Sequence, residues 1–175
     1  MPRNIEIKAR IEGVEALSPR VRAIADSGPT EIFQDDTFFQ CPNGRLKLRA
    51  FSDASGELIF YQRPDNAGPK ESFYVISATA SPGSLREALS LAYGQAGRVR
   101  KRRTLFMVGR TRIHLDHVEG LGDFLELEVV LADDESTEAG IKTAHELLAK
   151  LGITATQLIE GAYIDLLAQS CRPPS

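Results

Sequence analysis

Residues 4–11 read NIEIKARI. Ile5, Ile7, Ala9 and Ile11 fall on one side of an extended chain, and Asn4, Glu6, Lys8 and Arg10 on the other. A period of two is that of a strand whose faces meet different surroundings. The polar face is unusual, because it carries long charged side chains rather than small polar ones. The same pattern recurs downstream. In RLKLRAF (45–51), Arg45, Lys47 and Arg49 oppose Leu46, Leu48 and Ala50. In RIHLDHV (112–118), Arg112, His114 and Asp116 oppose Ile113 and Leu115. In FLELEVV (124–130), Glu126 and Glu128 oppose Leu125, Leu127 and Val129, and Lys101 and Arg103 extend the series.

Working outward, strands are expected at 4–11, 30–41, 45–51, 57–63, 70–78, 99–108, 110–118 and 124–131. Turn-formers such as Pro42-Asn43-Gly44 and Gly120-Leu121-Gly122 separate several of them. Helices are expected at 13–25, 81–93, 136–151 and 159–168. Ser81-Pro82 opens the second, whose buried stripe would be Leu85, Leu89 and Ala92, and Gly152 closes the third. Mostly consecutive, hairpin-connected strands imply an antiparallel α+β fold, not a parallel doubly wound sheet. The apolar strand faces and helix stripes then pack together. The charged faces line a concavity, and if the sheet closes they line the lumen of a barrel. Residues 1–168 read as one such domain and 169–175 as a flexible tail. Phe33, Phe38, Phe39, Phe60, Phe73 and Phe106 lack a stacking spacing and are assigned mainly to the core.

Like charges two residues apart on one strand repel, so the basic faces need compensation. A multiply charged anion supplies it, and arginine matches phosphate oxygens bidentately. Carboxylates in the same lumen repel phosphate unless a divalent cation lies between them. Glu6, Asp116, Glu126 and Glu128 are oxygen donors of the kind Mg²⁺ or Mn²⁺ accepts. The pattern therefore indicates a metal–polyphosphate complex. His114 has the parity to face the lumen as an acid or base, whereas His117 and His145 are assigned to solvent or local pairs.

The 175 residues carry 21 Lys and Arg against 24 Asp and Glu, for a net charge of −3. A dedicated duplex-DNA binder would usually be more basic. The basic run at 44–49 is no RNA-binding signal, because its leucines need a buried opposite face and aromatic platforms are absent. No membrane span, signal peptide, phosphate-binding glycine loop or thiolate metal cluster is expected, and the cytoplasm is the expected compartment. A homodimer stays open as a partner.

NIEIKAR resembles the amino-terminal Glu-x-Glu-x-Lys signature of the CYTH superfamily, which includes class IV adenylyl cyclases, thiamine triphosphatases and inorganic triphosphatases. Gly44–Arg49, Tyr61-x-Arg63-Pro64, Val99-x-Lys101-x-Arg103, and Arg112 to Glu128 are similar to its further elements, in family order. The resemblance implies an eight-stranded triphosphate tunnel, a nucleoside or other triphosphate as substrate, and Mg²⁺ or Mn²⁺ as cofactor. Lys8, Arg10, Arg45, Lys47, Arg49, Arg63, Lys70, Lys101, Arg103 and Arg112 would bind the phosphates, with Lys8, Arg103 and Arg112 catalytic. Glu6, Asp116, Glu126 and Glu128 would hold metal. Asn4 replaces the signature's first glutamate, offering a carbonyl oxygen but no charge. Asp36-Thr37-Phe38-Phe39 resembles a segment that is Asp-Thr-Tyr-Tyr in the thiamine triphosphatases, where a tyrosine helps a lysine to activate water, and both positions here are phenylalanine. ATP cyclisation is the preferred reaction. A triphosphatase and a non-catalytic nucleotide or polyphosphate binder are the alternatives.

Overall fold

A computed structural model describes residues 3–62 and 67–170. The strands are β1 Arg3–Arg10, β2 Ser27–Phe39, β3 Arg45–Ser52, β4 Ser55–Gln62, β5 Lys70–Thr79, β6 Gln95–Val108, β7 Thr111–Val118 and β8 Gly122–Val130. All neighbouring pairs are antiparallel, in the closed order β1-β5-β4-β3-β2-β6-β7-β8. Closure leaves no unpaired sheet edge.

The helices are α1 Val14–Ile24, α2 Pro82–Tyr93, α3 Thr137–Lys150 and α4 Tyr163–Ser170. α1 lies on β6 and β7, and α3 on β1 and β8. Their apolar stripes cover the outward face that alternation assigned to the core. Ile5, Ile7, Ile113, Leu115, Leu125 and Leu127 are at most 1% exposed there, packed with Leu17, Val21, Leu147 and Leu148. Each such burial stabilises by about 1.5–3 kcal/mol. Gly140 lets α3 approach closely, since a Cβ there would stand 2.7 Å from Ile5 and 2.6 Å from Leu131.

Four expectations are corrected. α2 buries only Pro82; Leu85 and Leu89 are half-buried, and Ala92 is exposed, because the helix lies along the rim of β2–β4. Phe33 and Phe73 are 53% and 38% exposed, as they point outward where no helix covers the barrel wall. The last helix begins at Tyr163 rather than Ile159. The preceding stretch is held by the Ile159 amide donating to the Lys8 carbonyl at 3.1 Å, and Gly161 then turns with φ 80°. Asp165 caps the start, accepting from the Ala162 amide at 3.1 Å. That helix also takes in Gln169 and Ser170, leaving the rest of the expected tail outside the described residues, as is Arg63. Among the described residues, no helix is long and apolar enough to cross a membrane.

Phe106→Ala, at a fully buried ring, should destabilise by about 3–5 kcal/mol. Leu91→Ala, at a side chain 82% exposed, should cost less than about 0.5 kcal/mol. Urea unfolding checks both, and equal losses would refute this placement of the core.

Candidate functional site

The inward faces of the strands enclose a cavity of about 460 Å³. Its walls have opposite character. On β2, β3 and β6, Asp36 is surrounded by cations. Arg49 donates to both its oxygens at 2.8 Å through Nε and Nη2, and Lys47 and Lys101 ammoniums lie 3.0 and 3.4 Å from Oδ2. On β1 and β8, Glu6, Glu126 and Glu128 face inward. Strand register explains the juxtaposition: Asp36 pairs with Arg49, Glu6 with Glu128, and Lys8 with Glu126.

The electrostatics follow from burial. Desolvation opposes ionisation of Asp36, but Arg49, Lys101 and Lys47 outweigh it and hold its carboxyl well below the usual range. Three cations share that carboxylate, so the lysines respond in the other direction. Burial, with Arg49 adding, pushes Lys47 down to about 8. Burial also pushes Lys101 well below its ordinary value. Three basic side chains on this wall thus share one carboxylate.

The acidic wall is matched to cations. Arg112 donates to both oxygens of Glu128 at 3.1 Å. Glu126 lies 3.8 Å from the Lys8 ammonium and 3.7 Å from Arg103. Desolvation raises the Glu128 carboxyl, and the Arg112 hydrogen bond together with the charges of His114 and Arg112 brings it below its ordinary value. His114 stands opposite Glu126, and burial together with Arg103 pushes it down to about 4, so its ring is neutral at pH 7. Its buried Nδ1 and the buried Asn4 Oδ1 have no hydrogen-bond partner among the described residues.

One end is closed by α4. The Tyr163 ring packs 5.0 Å from the Phe124 ring and beneath the Lys8 ammonium, 3.9 Å from it. Its hydroxyl donates to Asp116 Oδ2 at 2.8 Å, and Arg103 donates to both Asp116 oxygens at 2.8 Å. α4 reaches this depth because β6 has Gly97 beneath it, where a Cβ would collide with Ile164. The other end is open, and its mouth is partly apolar: Ile32, Phe51, Ile76 and Leu105 lie there with Glu57 and Arg112, and Ile76 is 48% exposed.

The expected site residues divide accordingly. Glu6, Lys47, Arg49, Lys101, Arg103, Arg112, Glu126 and Glu128 line the cavity. Lys8 lies behind Tyr163, Asp116 is wholly buried beside that ring, and Asn4 is wholly buried against Glu128. Asp116, expected as a metal ligand, instead takes Arg103 and Tyr163. Besides Lys8, three expected phosphate ligands are not on the cavity wall. Arg10 is exposed beyond the closed end, over Phe124 and donating to the Leu121 carbonyl at 3.3 Å. Arg45 forms a fork with Asp165 of α4 at 3.2 and 2.6 Å. Lys70 is buried in register with Glu6. Asp36 and Tyr163 were not among the expected site residues. Asp35 and Asp36 are adjacent in a strand with aromatics of both parities, so alternation does not choose between them, and Tyr163 comes from a helix whose docking only tertiary packing sets.

The donors fit a hard divalent cation in kind: Glu6, Glu126, Glu128 and the unpartnered Asn4 carbonyl are all oxygen ligands. Among the described residues, no three His, Cys, Asp or Glu side chains converge at metal-holding distance. Glu126 and Glu128 are instead turned to cations.

This combination of closed barrel and ordered motifs is shared with known proteins. The CYTH domain matches residues 2–163. The chain belongs to the CYTH family. A CYTH relative, adenylate cyclase CyaB of Aeromonas hydrophila, is 27% identical over 173 residues, covering 95% of this chain and 89% of that protein. The PH1012 protein of Pyrococcus horikoshii superposes with a TM-score of 0.84 at 23% identity, over 94% of this chain and 99% of that one. HpAC1 of Hippeastrum, described as revealing a dominant triphosphatase activity, superposes at 0.69 with 15% identity, over 99% and 98%.

Asp36→Asn should cost about 3–5 kcal/mol, because it leaves three buried cations without their carboxylate. Its folded pKa lies below the unfolded one, so its contribution is present above the ordinary carboxylate range and fades as pH falls from that range down through the depressed folded value. Urea unfolding from that range downward should show a shallower acid loss in Asp36→Asn than in the wild type. Parallel profiles would contradict the triple ion pair.

Proposed function

We propose that this protein is a divalent-metal-dependent enzyme acting on a nucleoside triphosphate, with ATP cyclisation to cyclic AMP and pyrophosphate as the preferred reaction. The observation that carries the reading is the cavity's division: opposed basic and acidic walls within, and an apolar patch at the mouth. The basic wall suits a phosphate chain, and the patch of Ile32, Phe51, Ile76 and Leu105 suits a base and sugar. The CyaB relative supports cyclisation.

In this reading Lys47, Arg49 and Lys101 bind and orient the phosphates, and Arg103 and Arg112 neutralise charge that develops on the leaving group. Glu6, Glu126 and Glu128, with the Asn4 carbonyl, would hold Mg²⁺ or Mn²⁺. When bound, the ion supplies charge neutralisation and polarises phosphate oxygens. In cyclisation the ribose 3′ oxygen bonds to the α phosphorus, loses its proton, and pyrophosphate leaves. Tyr163 is not the base for this step. Burial first, then Asp116 and Glu126, holds its phenol well above its ordinary value.

Incubation with ATP and Mn²⁺, with products separated by chromatography, tests the reaction. Cyclic AMP and pyrophosphate in equal amounts are expected. Release of ADP and phosphate, with cleavage of tripolyphosphate and no cyclic product, would make it a triphosphatase. Tight binding without turnover would make it a binder.

A pH profile tests the basic wall. Lys47 loses its charge as pH rises through about 8, so triphosphate affinity should fall on that limb. Lys47→Arg, whose charge is permanent, should weaken the limb, and an unchanged profile would remove Lys47 from the phosphate site.

A further inference from the structure

The cations of the two walls are held differently. Lys47, Arg49 and Lys101 outnumber their single carboxylate, Asp36. Arg112 is matched by a two-point contact to Glu128, and Glu126 lies against both Lys8 and Arg103. A phosphate that reached for Arg103 or Arg112 would have to displace carboxylates, leaving them beside an anion in a partly desolvated cavity, which is costly. Among the described residues, the same carboxylates are oxygen donors that do not converge while paired. The side chains of Asn4 and His114, which carry the orphaned Oδ1 and Nδ1, flank them: Asn4 donates through Nδ2 to Glu128, and His114 is the register partner of Glu126.

We propose that Glu126 and Glu128 are a charge gate: they neutralise Arg112 and add to the Asp116 pairing of Arg103 until a divalent cation takes the carboxylates, and the positive charge so released on the cavity wall then attracts phosphate. This rests on the triphosphate reading above and deepens it. The gate makes the two ligands mutually dependent through an exchange of ion-pair partners. Asp36 stays with its cations throughout, so the basic wall is the first point of phosphate contact. A Glu→Gln change should therefore imitate the metal in binding while failing to replace it in turnover.

Calorimetry with a bis-methylene ATP analogue, and electron paramagnetic resonance of free Mn²⁺, measure the coupling directly. In the wild type, Mn²⁺ should raise analogue affinity about 100-fold, and the analogue should raise Mn²⁺ affinity by the same factor. In Glu126→Gln/Glu128→Gln, analogue affinity without metal should exceed the wild-type value by about 10-fold. Mn²⁺ should then add little, and ATP turnover should fall. Glu128→Gln alone, releasing only Arg112, should show a smaller gain and serves if the double variant does not fold. Metal-free affinity at or below the wild-type level in a folded variant overturns the gate while leaving the triphosphate reading in place. An analogue that binds neither protein with or without Mn²⁺ overturns that reading itself.

Discussion

Buried cations must be matched, and in this barrel Asp36 does most of the matching on the basic wall. Its carboxylate meets Arg49 through two hydrogen bonds and lies within 3.4 Å of both lysine ammoniums. Without it, Lys47, Arg49 and Lys101 would repel one another in a desolvated space. With it, the wall is tolerable, and burial together with Arg49 brings Lys47 down to about 8. The rest of the site depends on this partial compensation. Full neutralisation would leave no attraction for an anion, and none would oppose closure of the barrel.

The acidic wall reaches a different balance by the same physics. Arg112 and Glu128 satisfy each other, while Glu126 is shared between Lys8 and Arg103. Arg103 is further secured by Asp116, which also accepts from Tyr163. The helix that delivers Tyr163 is thereby part of the electrostatic structure as well as a stopper. It closes one end with an aromatic pair and leaves the other open, so the cavity has an aromatic floor, charged walls and a partly apolar mouth.

Much of the architecture was legible because alternation is a local property. Ile5 and Ile7 had to be buried, so Glu6 and Lys8 had to face the other way. The repetition of this pattern in β3, β7 and β8 required charged faces to share an interior. That reasoning brought Lys47, Arg49, Lys101, Arg103, Arg112, Glu126 and Glu128 to the cavity wall. It failed at the ends of the same strands. Arg10 has the parity of Lys8 but lies beyond the closed end, and Arg45 has the parity of Lys47 but is taken by Asp165. Parity fixes which face a residue occupies and is silent about its height along the barrel.

The sequence by itself determined the strand periodicity, the antiparallel order of most neighbours, and the charged character of the interior, because side-chain direction in a strand alternates with every residue. Only the tertiary structure decided how those charges pair. Asp36 rather than Asp35 became the centre of the basic wall, and Tyr163 became the floor. Both outcomes depend on strand register and helix docking, which bring together residues far apart in the chain through closure, close packing at Gly97 and mutual neutralisation. No local pattern encodes such meetings, because each partner's periodicity is satisfied equally well without the other.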